Sequence, residues 1–149
     1  MKRCWLPPER LRIGSAAVGI QLDGGIGVIP VSSGQGAAAT ATVVNRNIVR
    51  GVQPPGQLWV ISSLKADVRT DGSIRVDGRG LLLAGGNTIG TNANQSVRAT
   101  LICDNVATPQ LFDSQLVPLE PNGDFRIDDV LTPAVPAECA SPVLLIRNP

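Results

Sequence analysis

Acidic side chains gather around one predicted turn near the C-terminal end of the chain. In the run LEPNGDFRIDD, the loop 121–123 has proline first, asparagine next and glycine last. This order is typical of a type I turn that ends in a left-handed residue. A hairpin closed by this loop places Glu120 opposite Asp124, with Asp128 further along the second arm.

These carboxylates suggest two kinds of chemistry. Facing carboxylates supply the oxygen ligands that Ca²⁺ prefers, so Glu120, Asp124 and Asp128 are candidate calcium ligands. Paired acids also suit acid–base hydrolysis when the surroundings raise the pKa of one of them. A solvated hairpin tip tolerates the same charge repulsion at little cost. We favour that last interpretation, in which the domain uses no cofactor.

Catalytic side chains are otherwise scarce. The chain has no histidine, which removes the commonest general base and the commonest zinc ligand. It contains no GxSxG nucleophile turn, no GxxxxGK phosphate loop and no dinucleotide-binding fingerprint. The sequence therefore predicts a protein that is not an enzyme, with a small hydrolase that uses paired carboxylates as one alternative.

The segment 84–96, AGGNTIGTNANQS, is a long polar stretch without formal charge. Loops of this length in compact domains are often functional. We predict either a crossover loop or a binding loop for carbohydrate or peptide. In the second case the candidate ligand-binding residues are Asn87, Thr88, Thr91, Asn92 and Asn94.

Three cysteines bear on the cellular compartment. Cys103 and Cys139 lie in or beside apolar segments near the C-terminus, and we predict that they form a disulfide. In the chain-entropy model such a bond stabilises the fold by about 3–4 kcal/mol, and it implies an oxidising compartment. Two buried thiols are the alternative. Cys4 is left over, as an exposed thiol or an intermolecular link.

A long hairpin over 58–83 is the element around which the others are organised. Apolar and polar residues alternate along both arms, as in half-buried strands. A three-residue loop with Gly72 last sets apolar residues opposite each other on one face and opposite charges on the other face. The predicted partners are Val68 with Ile74, Ala66 with Val76, Leu64 with Gly78, Asp67 with Arg75, and Lys65 with Asp77.

Further strands are predicted on both sides of this hairpin. Segment 16–31 indicates a first hairpin. Segment 115–131 indicates a third one, which contains the turn at 121–123 with Glu120 and Asp124 on either side, here named the acidic turn. Trp59 is expected to meet Leu83 in the core, which requires a break in the alternation. The expected partners in the outer hairpins are Leu22 with Ile26, Ile20 with Val28, Leu119 with Phe125, and Val117 with Ile127. Single strands are predicted at 39–50, 97–104 and 143–147, the last in the middle of a sheet because it is apolar almost throughout.

Eight or nine short strands, with glycine and proline spread along the chain, predict an all-β fold. We favour a two-sheet antiparallel β-sandwich, immunoglobulin-like or jelly-roll-like, and a closed β-barrel is the alternative. The 149 residues suffice for one domain with a core, which must be aliphatic because aromatic residues make up only 3%. We expect a poorly ordered segment at 1–14 and a single domain at 15–149.

These features predict a non-catalytic, exported or cell-surface domain that acts as a binding or structural module. We expect a secreted, extracellular or periplasmic location. A cytoplasmic one is the alternative, because no apolar run follows Lys2 and Arg3 as in a signal peptide. The net charge of +1 argues against nucleic acid as a partner, and no stretch is apolar enough for a transmembrane segment. The partner is not identified, and self-association through exposed edge strands is a further interpretation.

Overall fold

The computed structural model describes five ranges of the chain. Within them all regular secondary structure is β-strand, every strand pairing is antiparallel and no sheet closes on itself. The described chain is therefore all-β, as predicted, and the closed-barrel alternative finds no support. The predicted segment 1–14 and the predicted domain start at 15 lie outside the description. The described ranges are 19–28, 30–32, 44–46, 48–104 and 108–149.

Twelve strands lie in these ranges, more than the eight or nine that the sequence predicts. One cause is that both arms of the central hairpin are interrupted, between Val60 and Ser63 and between Arg79 and Leu82, so that each arm forms two strands. The predicted strand 39–50 is represented by β3, and residues 39–43 lie outside the described ranges. The strands are β1 (Gly19–Asp23), β2 (Pro30–Ser32), β3 (Val44–Arg46), β4 (Trp59–Val60), β5 (Ser63–Arg69), β6 (Ser73–Arg79), β7 (Leu82–Leu83), β8 (Ser96–Ile102), β9 (Leu111–Asp113), β10 (Val117–Pro118), β11 (Phe125–Val130) and β12 (Val143–Arg147).

Most of the strands belong to two four-stranded sheets. The first sheet has the order β1-β5-β6-β11. The second is built on β8, which pairs with β12 on one side and with β9 and β10 on the other. Two small ribbons, β2 with β3 and β4 with β7, complete the described pairings.

The central hairpin has the predicted register. β5 pairs with β6 so that Val68 lies opposite Ile74 and Ala66 opposite Val76, and all four side chains are buried. Gly72 closes the turn with a φ of 84°, a conformation that glycine adopts without steric cost. All five predicted cross-strand pairs occur. Alternation and turn chemistry together therefore determined this register.

The first predicted hairpin is wrong. Instead of folding back on residues 24–28, β1 extends the first sheet by pairing with β5, with Ile20 opposite Val68 and Leu22 opposite Ala66. The edge of the long hairpin offers a full row of backbone partners, whereas the segment after β1 is rich in glycine, which weakens a strand. The predicted pairs Leu22–Ile26 and Ile20–Val28 therefore do not occur, and Val28 bridges Trp59.

The third predicted hairpin is right at its turn and wrong in its arms. The backbone N of Glu120 donates to the O of Asp124 at 2.8 Å, and the N of Gly123 donates to the O of Glu120 at 2.8 Å. The arms then separate, because β10 joins β8 while β11 joins β6. The acidic turn therefore connects the two large sheets. The predicted pairs Leu119–Phe125 and Val117–Ile127 are accordingly absent.

The last strand, β12, lies at a sheet edge. Among the described residues it pairs with β8 alone, so the predicted position in the middle of a sheet is not found there. All five of its residues are half-buried.

One apolar cluster includes side chains from both large sheets. Ile74 and Ile127 of the first sheet and Ala99 and Leu101 of the second are at most 1% exposed. Trp59 lies opposite Leu83 and is buried with it, as expected. Its indole therefore belongs to the core.

Candidate functional site

The acidic turn uses the side chain of Asp124 within the fold. Oδ1 of Asp124 accepts a hydrogen bond from the backbone N of Gly80 at 3.0 Å. Oδ2 accepts from Nη1 of Arg79 at 3.3 Å and from Nδ2 of Asn122 at 3.1 Å. Asp124 therefore ties the turn to the end of β6.

The remaining acids of this region contact other partners. Oδ2 of Asp128 lies 3.3 Å from Nε of Arg75, and Oδ2 of Asp129 accepts from the backbone N of Gln115 at 2.7 Å. Glu120 and Asp124 thus meet across the turn, but Asp128 is not brought to them. In the part of the chain that the structure describes, no group of three acidic, histidine or cysteine side chains could hold a metal ion. Calcium binding stays a prediction.

The polar loop 84–96 is held together by its own side chains. Nδ2 of Asn92 donates to the backbone O of both Leu119 and Glu120 at 3.0 Å, and its Oδ1 accepts from the N of Asn94. Oγ1 of Thr91 donates to the O of Thr88 at 2.8 Å. Asn92 therefore fastens the loop to the acidic turn.

The other candidate residues of this loop lie at the surface. Asn87, Thr88 and Asn94 are exposed, and Asn94 has a positive φ of 50°. The side chains of Asn92 and Thr91 thus form hydrogen bonds within the fold, although Thr91 is also exposed. Binding of carbohydrate or peptide by this loop stays a prediction.

The outward face of the first sheet carries a row of alternating charges. Asp23, Lys65, Asp77 and Arg126 lie opposite one another in succession across β1, β5, β6 and β11. Each charge therefore has a neighbour of opposite sign. Opposite charges in directly facing positions stabilise the pairing of these strands.

Two carboxyl groups of this sheet have lowered pKa values. The hydrogen bond from Arg79, whose Nε lies 2.8 Å from Oδ1 of Asp77, holds the pKa of Asp77 below its usual value. Hydrogen bonds from the hydroxyl and backbone N of Ser73 lower the pKa of Asp71 in the same way. Both carboxyls are exposed and ionised near neutral pH, which does not suit them as general acids.

An apolar cleft of about 850 Å³ lies beside β12. Among the described residues, its lining comes from the segment 24–28, the segment 49–55, and β12 with the residues that follow it, together with core side chains such as Trp59 and Val97. Aliphatic side chains predominate in the lining, and Ile26 at the rim is 81% exposed. Its lining includes Val28, Val52, Trp59, Leu144 and Ile146.

Covalent and polar links fix the walls of this cleft. A disulfide joins Cys103, which follows β8, to Cys139, as the sequence predicts. Arg50 donates through Nη1 to the backbone O of Asp104 and through Nη2 to the O of Ser141 at 3.0 Å. The segment 49–55 is thereby fastened to the start of β12.

Sequence reasoning missed the cleft because its walls come from segments that are far apart in the chain. The one local signal was the apolar run of β12, which we interpreted as a central strand. An apolar sequence is equally compatible with an edge strand when the strand borders an apolar groove.

Comparisons with protein-family models, curated proteins and solved structures find no match to this chain. No helix in the described ranges has the length and apolar character needed to cross a membrane.

Proposed function

We propose that this chain is a non-catalytic β-sandwich domain, exported or displayed at the cell surface, that binds an extended apolar segment of a partner protein. The segment lies in the cleft beside β12. The observation that carries this proposal is the cleft itself, an apolar groove of about 850 Å³ along an edge strand. Pockets of this size and character are typical ligand sites.

The edge of β12 explains why the ligand is an extended chain. A strand that pairs on one side presents backbone N–H and C=O groups on the other, and a peptide can add to them as a further strand. Within the described ranges β12 pairs on the β8 side. Its sequence VLLIR contains no proline, and its one charged residue, Arg147, is the last of the strand, so the apolar part of the edge carries none of the residues that commonly block such edges.

The lining explains why the ligand is apolar. Leu144 and Ile146 of β12 face Leu101 and Ala99 of β8, yet both remain half-buried beside the cleft. An apolar side chain that covers such half-buried surface is stabilised by about 25 cal/mol for each Å² removed from water.

The architecture and compartment belong to the same proposal. The apolar cluster shared by the two large sheets supports face-to-face packing of a sandwich. The disulfide between Cys103 and Cys139 supports an oxidising environment such as the periplasm or the cell exterior.

The use of the acidic side chains supports a non-catalytic role. Asp124, Asp128 and Asp129 each satisfy a structural partner, and both carboxyls with a shifted pKa are shifted downward. A general acid at neutral pH needs the opposite shift.

Nuclear magnetic resonance with a soluble strand peptide tests the proposal. The probe is an acetylated and amidated peptide of alternating valine and threonine with a lysine at each end. We expect saturable shifts of the backbone amides of β12 and of segment 24–28, with slower amide exchange in β12. Uniform small shifts over the whole chain would contradict a defined site.

A pair of matched variants locates the binding. Ile26→Lys places a charge at the cleft rim, whereas Ile89→Lys changes an equally apolar residue that is 63% exposed and lies away from the cleft. Ile26→Lys should weaken peptide binding and Ile89→Lys should not. If the β12 shifts appear on concentration of the protein without peptide, a second copy occupies the edge and the partner assignment is wrong.

A further inference from the structure

Two arginines face each other on the second sheet. Arg98 of β8 and Arg147 of β12 are directly paired in the antiparallel register. Like charges in directly opposite positions repel each other. The sheet therefore holds two positive charges where an apolar or opposite-charge pair is the stable arrangement.

A single carboxylate lies near both guanidinium groups. Asp113 of β9 is 3.8 Å from Nη1 of Arg98 through Oδ2 and 3.8 Å from Nη1 of Arg147 through Oδ1. These separations exceed the roughly 2.7–2.9 Å of a charge-assisted hydrogen bond. Oδ1 accepts its hydrogen bond from the hydroxyl of Thr100 instead. Asp113 therefore offsets one positive charge and leaves the cluster with one in excess.

The guanidinium groups have unused donors. Nε of Arg98 is buried and has no hydrogen-bond partner. Among the described residues, the one hydrogen-bond acceptor of Nη1 of Arg147 is the hydroxyl of Thr100, at 3.5 Å. Each guanidinium carries five N–H donors, so one carboxylate and one hydroxyl cannot satisfy both groups. Both arginine side chains are 30% exposed, so an exposed part of each guanidinium lies within reach of a ligand, although Nε of Arg98 is buried.

We propose that Arg98 and Arg147 form a binding site for an oxyanion, the carboxylate, sulfate or phosphate group of a ligand. Paired guanidinium forks match the oxygen spacing of such groups, and the partial burial of the site strengthens the attraction over that at an open surface. Thr100 of β8 lies within 3.5 Å of Nη1 of Arg147 and donates its hydroxyl to Asp113, which competes with a ligand for both arginines. This site is argued independently of the cleft, and either assignment can fail without the other.

Titration with sodium sulfate tests the site directly. The readout is the side-chain Nε–Hε resonance of each arginine, with sodium chloride at equal ionic strength as the control. We expect a saturable shift of the Arg98 signal with sulfate and none with chloride, while Arg75, an exposed arginine paired with Asp128, stays unchanged. Parallel titrations with phosphate and acetate rank the tetrahedral against the planar oxyanion. A linear response, or equal shifts at Arg75 and Arg98, would overturn the proposal.

Three variants of the site and the control Arg75→Gln distinguish binding from a purely structural arginine pair. Arg147→Gln should weaken sulfate binding about tenfold, the loss of one charge-assisted hydrogen bond, and Arg75→Gln should not. Asp113→Asn removes the competing negative charge, so sulfate should bind more tightly and raise the melting temperature more than in the parent. Because loss of the positive charge in Arg147→Gln can also change the stability of the fold, Arg147→Lys serves as a second test: it keeps the charge, loses the guanidinium fork and should still weaken binding. Unchanged affinity in Asp113→Asn and Arg147→Lys would refute the site.

Discussion

The ring of Phe125 lies against Gly78 on the adjacent strand, so close that a Cβ on Gly78 would sit 2.1 Å from Cε1 of Phe125. The aromatic ring of Phe125, on β11, thus lies over the backbone of β6 at Gly78. An aromatic side chain over a cross-strand glycine replaces the packing that the glycine lacks. This contact stabilises the junction of β6 and β11, just beyond the acidic turn.

Replacement of Gly78 should therefore destabilise the fold. Because the ring cannot stay in place beside a new Cβ, we expect Gly78→Ala to lower the free energy of unfolding by about 2–3 kcal/mol, an overpacking cost. Urea denaturation followed by tryptophan fluorescence measures it. Gly56→Ala is the control, since a Cβ there meets no atom within 4 Å. Equal stability of the two variants would show that the ring does not occupy this position.

Asp124 should be important for stability whether or not it binds a metal. It accepts hydrogen bonds from Gly80 and Arg79 at the end of β6, so Asp124→Ala leaves the partly buried N–H of Gly80 without its acceptor. We expect a loss of about 1–3 kcal/mol in the free energy of unfolding, with Glu120→Gln as the control at the exposed side of the turn.

Calorimetric titration with CaCl₂ addresses the calcium prediction separately. If Asp124 serves the fold alone, calcium should release no heat and leave the melting temperature unchanged. A saturable heat that Asp124→Ala abolishes would instead establish a metal site at the turn.

The Asp77–Arg79 pair should give a pH dependence of defined sign. The hydrogen bond from Arg79 lowers the pKa of Asp77 in the folded state below the ordinary value of 3.8. The pair therefore stabilises the fold above that value, and this contribution is lost as the pH falls through the folded-state pKa. Carboxyl resonances followed over roughly pH 5 to pH 2 should show the midpoint of Asp77 move upward in Arg79→Gln. An unmoved midpoint would mean that Arg79 does not hold the carboxylate in solution.

The disulfide should contribute both stability and order at the cleft. Cys103 and Cys139 are separated by 36 positions, and closure of a loop of that length is worth about 4 kcal/mol in the chain-entropy model. The double variant Cys103→Ala/Cys139→Ala should lose that stability, as should the parent protein in reductant. Reductant should leave the double variant unaffected, and this comparison separates the bond from the packing of the two side chains.

The same double variant links the disulfide to binding. Because Cys139 lies shortly before β12, loss of the disulfide should speed amide exchange in β12 and weaken the binding of the valine–threonine peptide. Unaltered exchange in β12 would show that Arg50 and the pairing with β8 hold the edge by themselves.

The sequence predicted what is local. The register of β5 and β6 was predictable because both arms and their turn lie in one short stretch, where alternation and Gly72 agree. The turn at 121–123 was predictable for the same reason. The disulfide followed from two cysteines beside apolar segments.

The sequence did not predict choices between distant partners. β1 pairs with β5 and β12 lies at an edge because of competition among strands, which alternation within one strand cannot reveal. The pairing of Arg98 with Arg147 depends on that same choice, so their juxtaposition was invisible. The prediction that Glu120 and Asp124 lie opposite each other at the turn is confirmed. Asp128 instead contacts Arg75, because β11 separates from β10.

Ser114 completes the second sheet where β9 ends, and no sequence pattern marked it. Its backbone N donates to the O of Ala99, and its Oγ accepts from the N of Ala99 at 2.9 Å. The same Oγ donates to the O of Gln115 at 2.9 Å. The side chain thus takes the place of a strand neighbour for Ala99, which is fully buried.

Ser114→Ala should therefore lower the free energy of unfolding more than the loss of one hydroxyl group at an exposed position would. The substitution leaves the N–H of Ala99 buried without an acceptor, a penalty of about 1–3 kcal/mol in the free energy of unfolding. Ser114→Thr retains the hydroxyl and should recover part of the loss, limited by the space for its methyl group. Ser63→Ala, at an exposed position of β5, serves as the control for removal of a hydroxyl. Because the missing bond lies between β8 and the end of β9, amide exchange of Ala99 should accelerate in Ser114→Ala; an unchanged rate would mean that another acceptor satisfies this N–H.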